Sequence, residues 1–274
     1  MPKTFSLFFL LSTFSAAAEW PFFVFENGVR QPRLEAQVKM LREGGFGRIG
    51  SARPRDVGKQ LKVYDEAGIH LASLYVGSSI SPERAIYPDD LRQATKDLKG
   101  RDTLIELNIQ GRMKEEEGDQ VAVPMVQEIA DLARASGLKV ALYPHAGFYV
   151  DTLSDGLRIA KKSGRDNVGV MFNLCHFLKV EPNSDLEETI RAAGDRLFQV
   201  SICGANEGGR SWNALIQTLD KGTFNQAKLL KILKDIGYTG PVGLQCYGIP
   251  GNQAENMKKS MAAWNDLMQK VGPE

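Results

Sequence analysis

Residues 121–145 read VAVPMVQEIADLARASGLKVALYPH, and the fold is decided here. From Val121 to Ala135 the apolar residues recur at helical spacing, whereas Leu138 to Tyr143 is a short run suited to a strand. Gly137 stands between them, where a glycine in the left-handed conformation ends a helix. Working outward, the same punctuation recurs at Gly44-Gly45 before Phe46, at Gly68 before Ile69 and at Gly237 before Tyr238.

The other strand-like runs are Phe22 to Phe25, Phe46 to Ile49, Ile69 to Val76, Thr103 to Ile109, Val168 to Phe172, Phe198 to Ile202 and Val242 to Tyr247. Helical stretches such as Arg33 to Arg42, Val57 to Glu66, Leu91 to Leu98, Leu153 to Lys162, Leu186 to Ala193, Gln226 to Ile236 and Ala254 to Lys270 alternate with them. Strand followed by helix, repeated, imposes parallel strands with right-handed crossovers, and eight units in about 250 residues is the size of a closed barrel. The sequence therefore predicts an α/β protein, a single-domain (β/α)8 TIM barrel. A doubly wound open sheet is the alternative, but Glu26-Asn27-Gly28-Val29 after the first strand lacks its glycine-rich phosphate turn.

The first eighteen residues differ from the rest. Lys3, the apolar run Phe5 to Leu11 and Ser15-Ala16-Ala17-Ala18 have the layout of a secretory signal peptide cleaved before Glu19. The other reading is a buried first strand, which Phe22 to Phe25 makes redundant. The expected organisation is a leader over 1–18 and the barrel over 19–274, in a secreted or periplasmic protein. No later apolar run approaches the roughly 18 residues of a spanning helix. With 34 basic against 33 acidic residues there is no excess positive charge for nucleic acid, so the partner expected is a small molecule. Three cysteines, Cys175, Cys203 and Cys246, are too few for a disulfide framework, which leaves stability to the core.

In a barrel, alternate strand residues point inward, and the last of them at the C-terminal strand ends build the active site. Apolar Ile105, Leu107 and Ile109 turn Glu106, Asn108 and Gln110 inward. The same parity selects Tyr143 and His145, Met171 and Asn173, Gln199, Ser201 and Cys203, and Gln245 and Tyr247. Such a rim of amides, hydroxyls and imidazoles suits a carbohydrate, whose hydroxyls both donate and accept, although such groups also satisfy one another inside barrels. Glu106 is either a general base or a structural carboxylate paired with Arg48. Lys179, Glu207 and Arg210 follow the sixth and seventh strands within reach of a substrate, and a Cys203–His176 nucleophilic pair is a further arrangement to weigh. The scarcity of Lys and Arg at inward strand ends argues against a phosphate.

These units, with Leu142-Tyr143-Pro144-His145 ending the fifth strand and Asn173-Leu174-Cys175-His176 ending the sixth, resemble the xylose isomerase-like barrels, which include sugar isomerases and ketose epimerases. The resemblance implies a divalent metal held by Glu, Asp, His and Glu on the fifth to eighth strands. Here Tyr143, Asn173, Ser201 and Gln245 stand at those positions, and none is retained. Without an anionic ligand most of the attraction for a divalent ion is lost, so no metal and no other cofactor is expected. His176 matches the histidine of the family's Asp-x-x-His, and His145 lies at the adjacent strand end; both are candidate general acids or bases. The expected function is isomerisation, epimerisation or a related elimination on a carbohydrate or keto-sugar, with His145, His176 and Glu106 catalytic and Asn108, Gln110, Tyr143, Asn173, Ser201, Gln245 and Tyr247 binding substrate. A sugar-binding barrel without catalysis is the alternative.

Overall fold

The computed structural model describes residues 20–272 except 82, 84 and 85, so the leader expected over 1–18 lies outside the described residues. Nine parallel strands form one sheet: β1 (Phe22–Phe25), β2 (Arg48–Gly50), β3 (His70–Leu71), β4 (Ser73–Ser79), β5 (Leu104–Gln110), β6 (Lys139–Leu142), β7 (Val168–Asn173), β8 (Leu197–Ile202) and β9 (Val242–Leu244). The order is β3-β2-β1-β9-β8-β7-β6-β5-β4. β3 and β4 are two halves of one barrel strand, interrupted at Ala72, and the run expected from Ile69 to Val76 is split there. The break leaves no backbone group idle. Ala72 N–H donates to Ile49 O at 2.7 Å, and Leu104 N–H donates to Ala72 O at 2.9 Å. A parallel bridge between Ala52 and Leu74 continues the seam above the break and closes the ring, so the barrel has eight strand positions.

The helices are α1 (Leu34–Glu43), α2 (Val57–Glu66), α3 (Leu91–Asp97), α4 (Glu115–Arg134), α5 (Leu153–Ser163), α6 (Leu174–Val180), α7 (Leu186–Ala193), α8 (Trp212–Leu215), α9 (Gln226–Asp235) and α10 (Gln253–Val271). α4 begins well before Val121, because its first turn is polar and carries no apolar period. Glu115, Glu116 and Glu117 there suit the positive end of the helix dipole. The Tyr149 hydroxyl donates to Glu115 O at 2.7 Å, tying that turn to the loop after β6. Short α6 and α8 were not expected from periodicity, being too brief to show it.

The main core lies between the strands and the helix ring, where Ile105, Leu107 and Ile109 of β5 and Val140 and Leu142 of β6 are fully buried, as their parity predicts. A second cluster fills the barrel with Phe23, Phe25, Ala72, Ala141, Tyr143 and Met171. Phe23 needs room that its neighbours give up. A Cβ added at Gly50 on β2 would come within 2.3 Å of its ring, and one at Gly243 on β9 within 2.4 Å. Paired glycines on the two flanking strands thus admit a large aromatic floor beneath the mouth.

Candidate functional site

The C-terminal strand ends surround a cavity of about 500 Å³, lined by Phe25, Tyr75, Tyr143, Trp212 and Tyr247 on its apolar faces and by Asn27, Arg30, Ser51, Arg53, His145, His176, Asn213 and Gln245 as polar groups. Mouth position follows from the barrel, and local structure aims each side chain. His145 sits in the turn after β6, where its N–H donates to Val150 O at 3.0 Å and Phe148 N–H donates to its carbonyl at 2.9 Å. The Phe148 ring stacks on the imidazole with centroids 3.9 Å apart. His176 lies in the first turn of α6, directly after β7, and that turn swings it over the mouth. The two imidazole centroids are 4.1 Å apart.

The backbone of one residue, Ala146, sets both rings through the two peptide groups that flank it. Ala146 N–H donates to His176 Nδ1 at 3.1 Å, so the proton of neutral His176 is on Nε2. Ala146 O lies 3.2 Å from His145 Nδ1. A carbonyl only accepts, so His145 carries its proton on Nδ1 and leaves Nε2 as a lone pair. Burial holds the His145 pKa below its ordinary value. Burial, and then the neighbouring His145, depress His176 to about 3. Both rings are therefore neutral at neutral pH.

This has a consequence for stability. Unfolded His176 takes up a proton near its ordinary pKa of 6.5, whereas the folded ring refuses it until about 3. Between those values the unfolded chain binds more protons, so the contribution is whole above 6.5 and is lost as pH falls toward 3. Melting temperatures measured from pH 8 to pH 4 should fall less steeply for His176→Gln than for the wild type; parallel curves would refute the burial argument.

Tyr143 stands at the floor, with Asn173 Nδ2 donating to its hydroxyl at 2.8 Å. The Gln245 amide bonds to the same hydroxyl, while burial, with Cys175 next, raises the phenol well above 10. Gln245 Oε1 itself accepts from Asn27 Nδ2 at 2.9 Å and from the backbone N–H groups of Cys246 and Tyr247, each at 3.0 Å. Asn173 Oδ1 accepts from Cys175 Sγ at 3.1 Å. With both of its acceptor positions filled by amide N–H groups, the Tyr143 oxygen keeps its own proton for the cavity. Ser201 is fully buried one strand away, in register with Asn173, and its Oγ has no hydrogen-bond partner. The four positions where the family resemblance places metal ligands are thus neighbours, and all four are uncharged. The amide oxygens of two of them are already engaged.

Glu106 is fully buried beneath the cavity rather than on its wall. Its partners are not Arg48, which lies at the opposite end of the barrel in register with His70, but Ser51, Ser73 and Gln199. Burial raises its pKa, and these three hydrogen bonds oppose the shift. Asn108 and Gln110 do not line the cavity: Asn108 Nδ2 donates to Val76 O at 3.1 Å, and Gln110 Nε2 reaches Asn108 Oδ1 at 3.4 Å. Lys179 Nζ donates to Arg210 O at 2.5 Å, and neither residue lines the cavity, nor does Glu207. Cys203 is sealed in a small apolar cluster, where its Sγ donates to Leu215 O at 3.2 Å rather than to an imidazole, and its thiol is pushed well up, first by the neighbouring Cys175. Arg30, Arg53 and Ser51 sit on loops, Asn27 in a one-turn 3-10 helix and Trp212 at the start of short α8, places where strand parity gives no signal.

The fold and site can be set beside known proteins. The chain is 28% identical over 136 residues to an inosose isomerase of Halalkalibacterium halodurans, a match covering 46% of this chain and 45% of that protein. The chain thus matches a little under half the length of that relative. A crystal structure of 3-keto-D-glucoside 4-epimerase from E. coli superposes with a TM-score of 0.75 at 14% identity, covering 90% of this chain and 100% of the other. The IOLI protein with a bound zinc atom does so with a TM-score of 0.73 at 18% identity, covering 93% and 100%. At these identities the structural likenesses speak for the barrel. The family model of the xylose isomerase-like TIM barrel matches residues 62–267, three quarters of the sequence, and the chain belongs to that family.

Proposed function

We propose that the protein is an exported sugar isomerase or epimerase that moves a proton beside the carbonyl of a keto-sugar, without a bound divalent cation. The observation that carries this reading is the backbone of Ala146, whose carbonyl and N–H fix two adjacent imidazoles in complementary states. His145 offers a basic Nε2 and His176 offers an Nε2–H. A carbonyl oxygen placed between His176 Nε2–H and the Tyr143 hydroxyl receives two donors where negative charge develops on enolisation. His145 takes the proton from the adjacent carbon and returns it. Because both rings are neutral, the donor does not quench the base.

The aromatic walls and the amides of Asn27, Asn213 and Gln245 suit the apolar faces and hydroxyls of a sugar ring. The partial sequence likeness to an inosose isomerase agrees with keto-sugar chemistry. Absence of a metal is supported by the donor set, because Tyr143, Asn173, Ser201 and Gln245 supply no anionic ligand. Export is supported by the leader over residues 1–18, and a mature N-terminus near Glu19, read by mass spectrometry of protein from its native host, checks it.

The test is solvent-deuterium exchange followed by NMR over a panel of inososes, 3-keto-glucosides and ketohexoses. Deuterium entering a carbon next to the carbonyl is the expected result. A ligand-induced rise in melting temperature without exchange would instead identify a sugar-binding barrel that has lost catalysis.

A further inference from the structure

Across the cavity from the imidazoles lies a second acid–base arrangement that the chemistry above does not use. In a ring of eight strand positions β2 and β7 are diametrically opposed, so Ser51, the residue after β2, faces α6 and His176 over the mouth. Ser51 lines the cavity. Its Oγ donates to Glu106 Oε2 at 2.5 Å. The other carboxylate oxygen accepts from Ser73 Oγ at 2.6 Å and from Gln199 Nε2, both fully buried. Glu106 therefore touches the cavity only through Ser51.

The backbone is bent to make this contact. Ser51 has φ = 55°, one of two non-glycine residues with positive φ among those described. Side chains rarely adopt that conformation unless the surroundings impose it, and such residues concentrate at functional sites. Ser51 N–H donates to Ser73 Oγ at 2.8 Å, which locks the turn to the same serine that holds Glu106. A hydroxyl has one proton and two lone pairs. With its proton committed to the carboxylate, Ser51 presents acceptor lone pairs to the cavity.

We propose that Ser51 is the cavity end of a proton relay whose buried terminus is Glu106, serving the substrate face opposite the histidines. A substrate hydroxyl passes its proton to Ser51 Oγ while the proton already on Ser51 moves to Glu106 Oε2. The substrate oxygen keeps the electron pair, the carboxylate becomes a carboxylic acid, and the reverse step returns the proton. Burial, which favours the neutral acid, makes Glu106 a better terminus than a solvated carboxylate. The relay's purpose rests on the proton-transfer function proposed above, but its existence can be tested without any substrate.

Infrared difference spectra of wild type against Glu106→Gln isolate the protonated-carboxyl C=O band of Glu106, and transfer into D2O times its isotope shift. The expected band titrates above the ordinary carboxylate range and exchanges quickly in the wild type. In Ser51→Ala, and in Ser51→Gly, which fits the positive φ without strain, the shift should slow by about tenfold or more. Gln199→Leu removes a hydrogen bond to the same carboxylate from the sealed side without touching the Ser51 turn and should exchange at the wild-type rate, which a merely structural role for the contacts to Glu106 would not allow. Equal exchange rates in wild type and both Ser51 variants, or no Glu106 band at any pH from 4 to 9, would overturn the relay. Failure of deuterium to enter keto-sugars would count against the proposed function alone.

Discussion

His145→Ala lowers the rate of deuterium incorporation into a turned-over keto-sugar by about 10² to 10⁴-fold, the usual contribution of a positioned general base. The variant should melt close to the wild type, because His145 occupies a half-buried turn and its loss leaves the core untouched. Tyr143→Phe tests the other half of the site. It removes the hydroxyl proton while keeping the ring edge-on to Tyr75, whose centroid is 5.5 Å away. Loss of one oxyanion donor is worth about 10² to 10³-fold in rate. The change also strands Asn173 Nδ2 and the Gln245 amide without their acceptor, so a stability loss of about 1–3 kcal/mol accompanies it. Chemical denaturation separates the two effects. If His145→Ala keeps full exchange activity, the base is elsewhere and the reading of the Ala146 backbone contacts fails.

The second large effect concerns metal. The wild-type protein should purify without a stoichiometric divalent ion and keep its activity in EDTA, as measured by elemental analysis and the same exchange assay. A divalent ion must shed water, and protein ligands replace that water chiefly through carboxylates or well-placed imidazoles. His145 Nδ1 is taken up by Ala146 O and His176 Nδ1 by Ala146 N–H, so neither ring has an imidazole edge to spare beyond Nε2. One equivalent of Mn, Co, Zn or Mg with EDTA-sensitive activity would overturn the mechanism while leaving the fold as described. The converse experiment restores charge. Tyr143→Glu, Asn173→Asp and Gln245→Glu together should create divalent-metal affinity by calorimetry, because these positions already meet through the Tyr143 hydroxyl. No gain would mean that they do not correspond to the family's ligand positions.

The sequence by itself determined the barrel and the alternation of buried and inward residues on β5 and β6, and it put uncharged Tyr143, Asn173, Ser201 and Gln245 at the strand ends. Periodicity is a local property, and side-chain direction in a strand follows from it whatever the rest of the chain does. The division of the third barrel strand at Ala72 was decided only by tertiary structure, because both halves are strand-like and the break shows only in which neighbours take their hydrogen bonds. The same holds for the site. Parity placed Glu106 inside the barrel, but only the structure shows it sealed beneath Ser51 with Ser73 and Gln199 as partners. Parity selected His145 and the family resemblance His176, yet their protonation states depend on the backbone of Ala146, thirty positions before His176 in the chain. Arg30 and Arg53 reach the cavity from loops and Trp212 from the start of the one-turn α8, whose paths are set by packing against the finished barrel rather than by any repeating pattern. Chemistry at this mouth is a matter of which polar atoms meet, and those meetings are long-range contacts that no local pattern encodes.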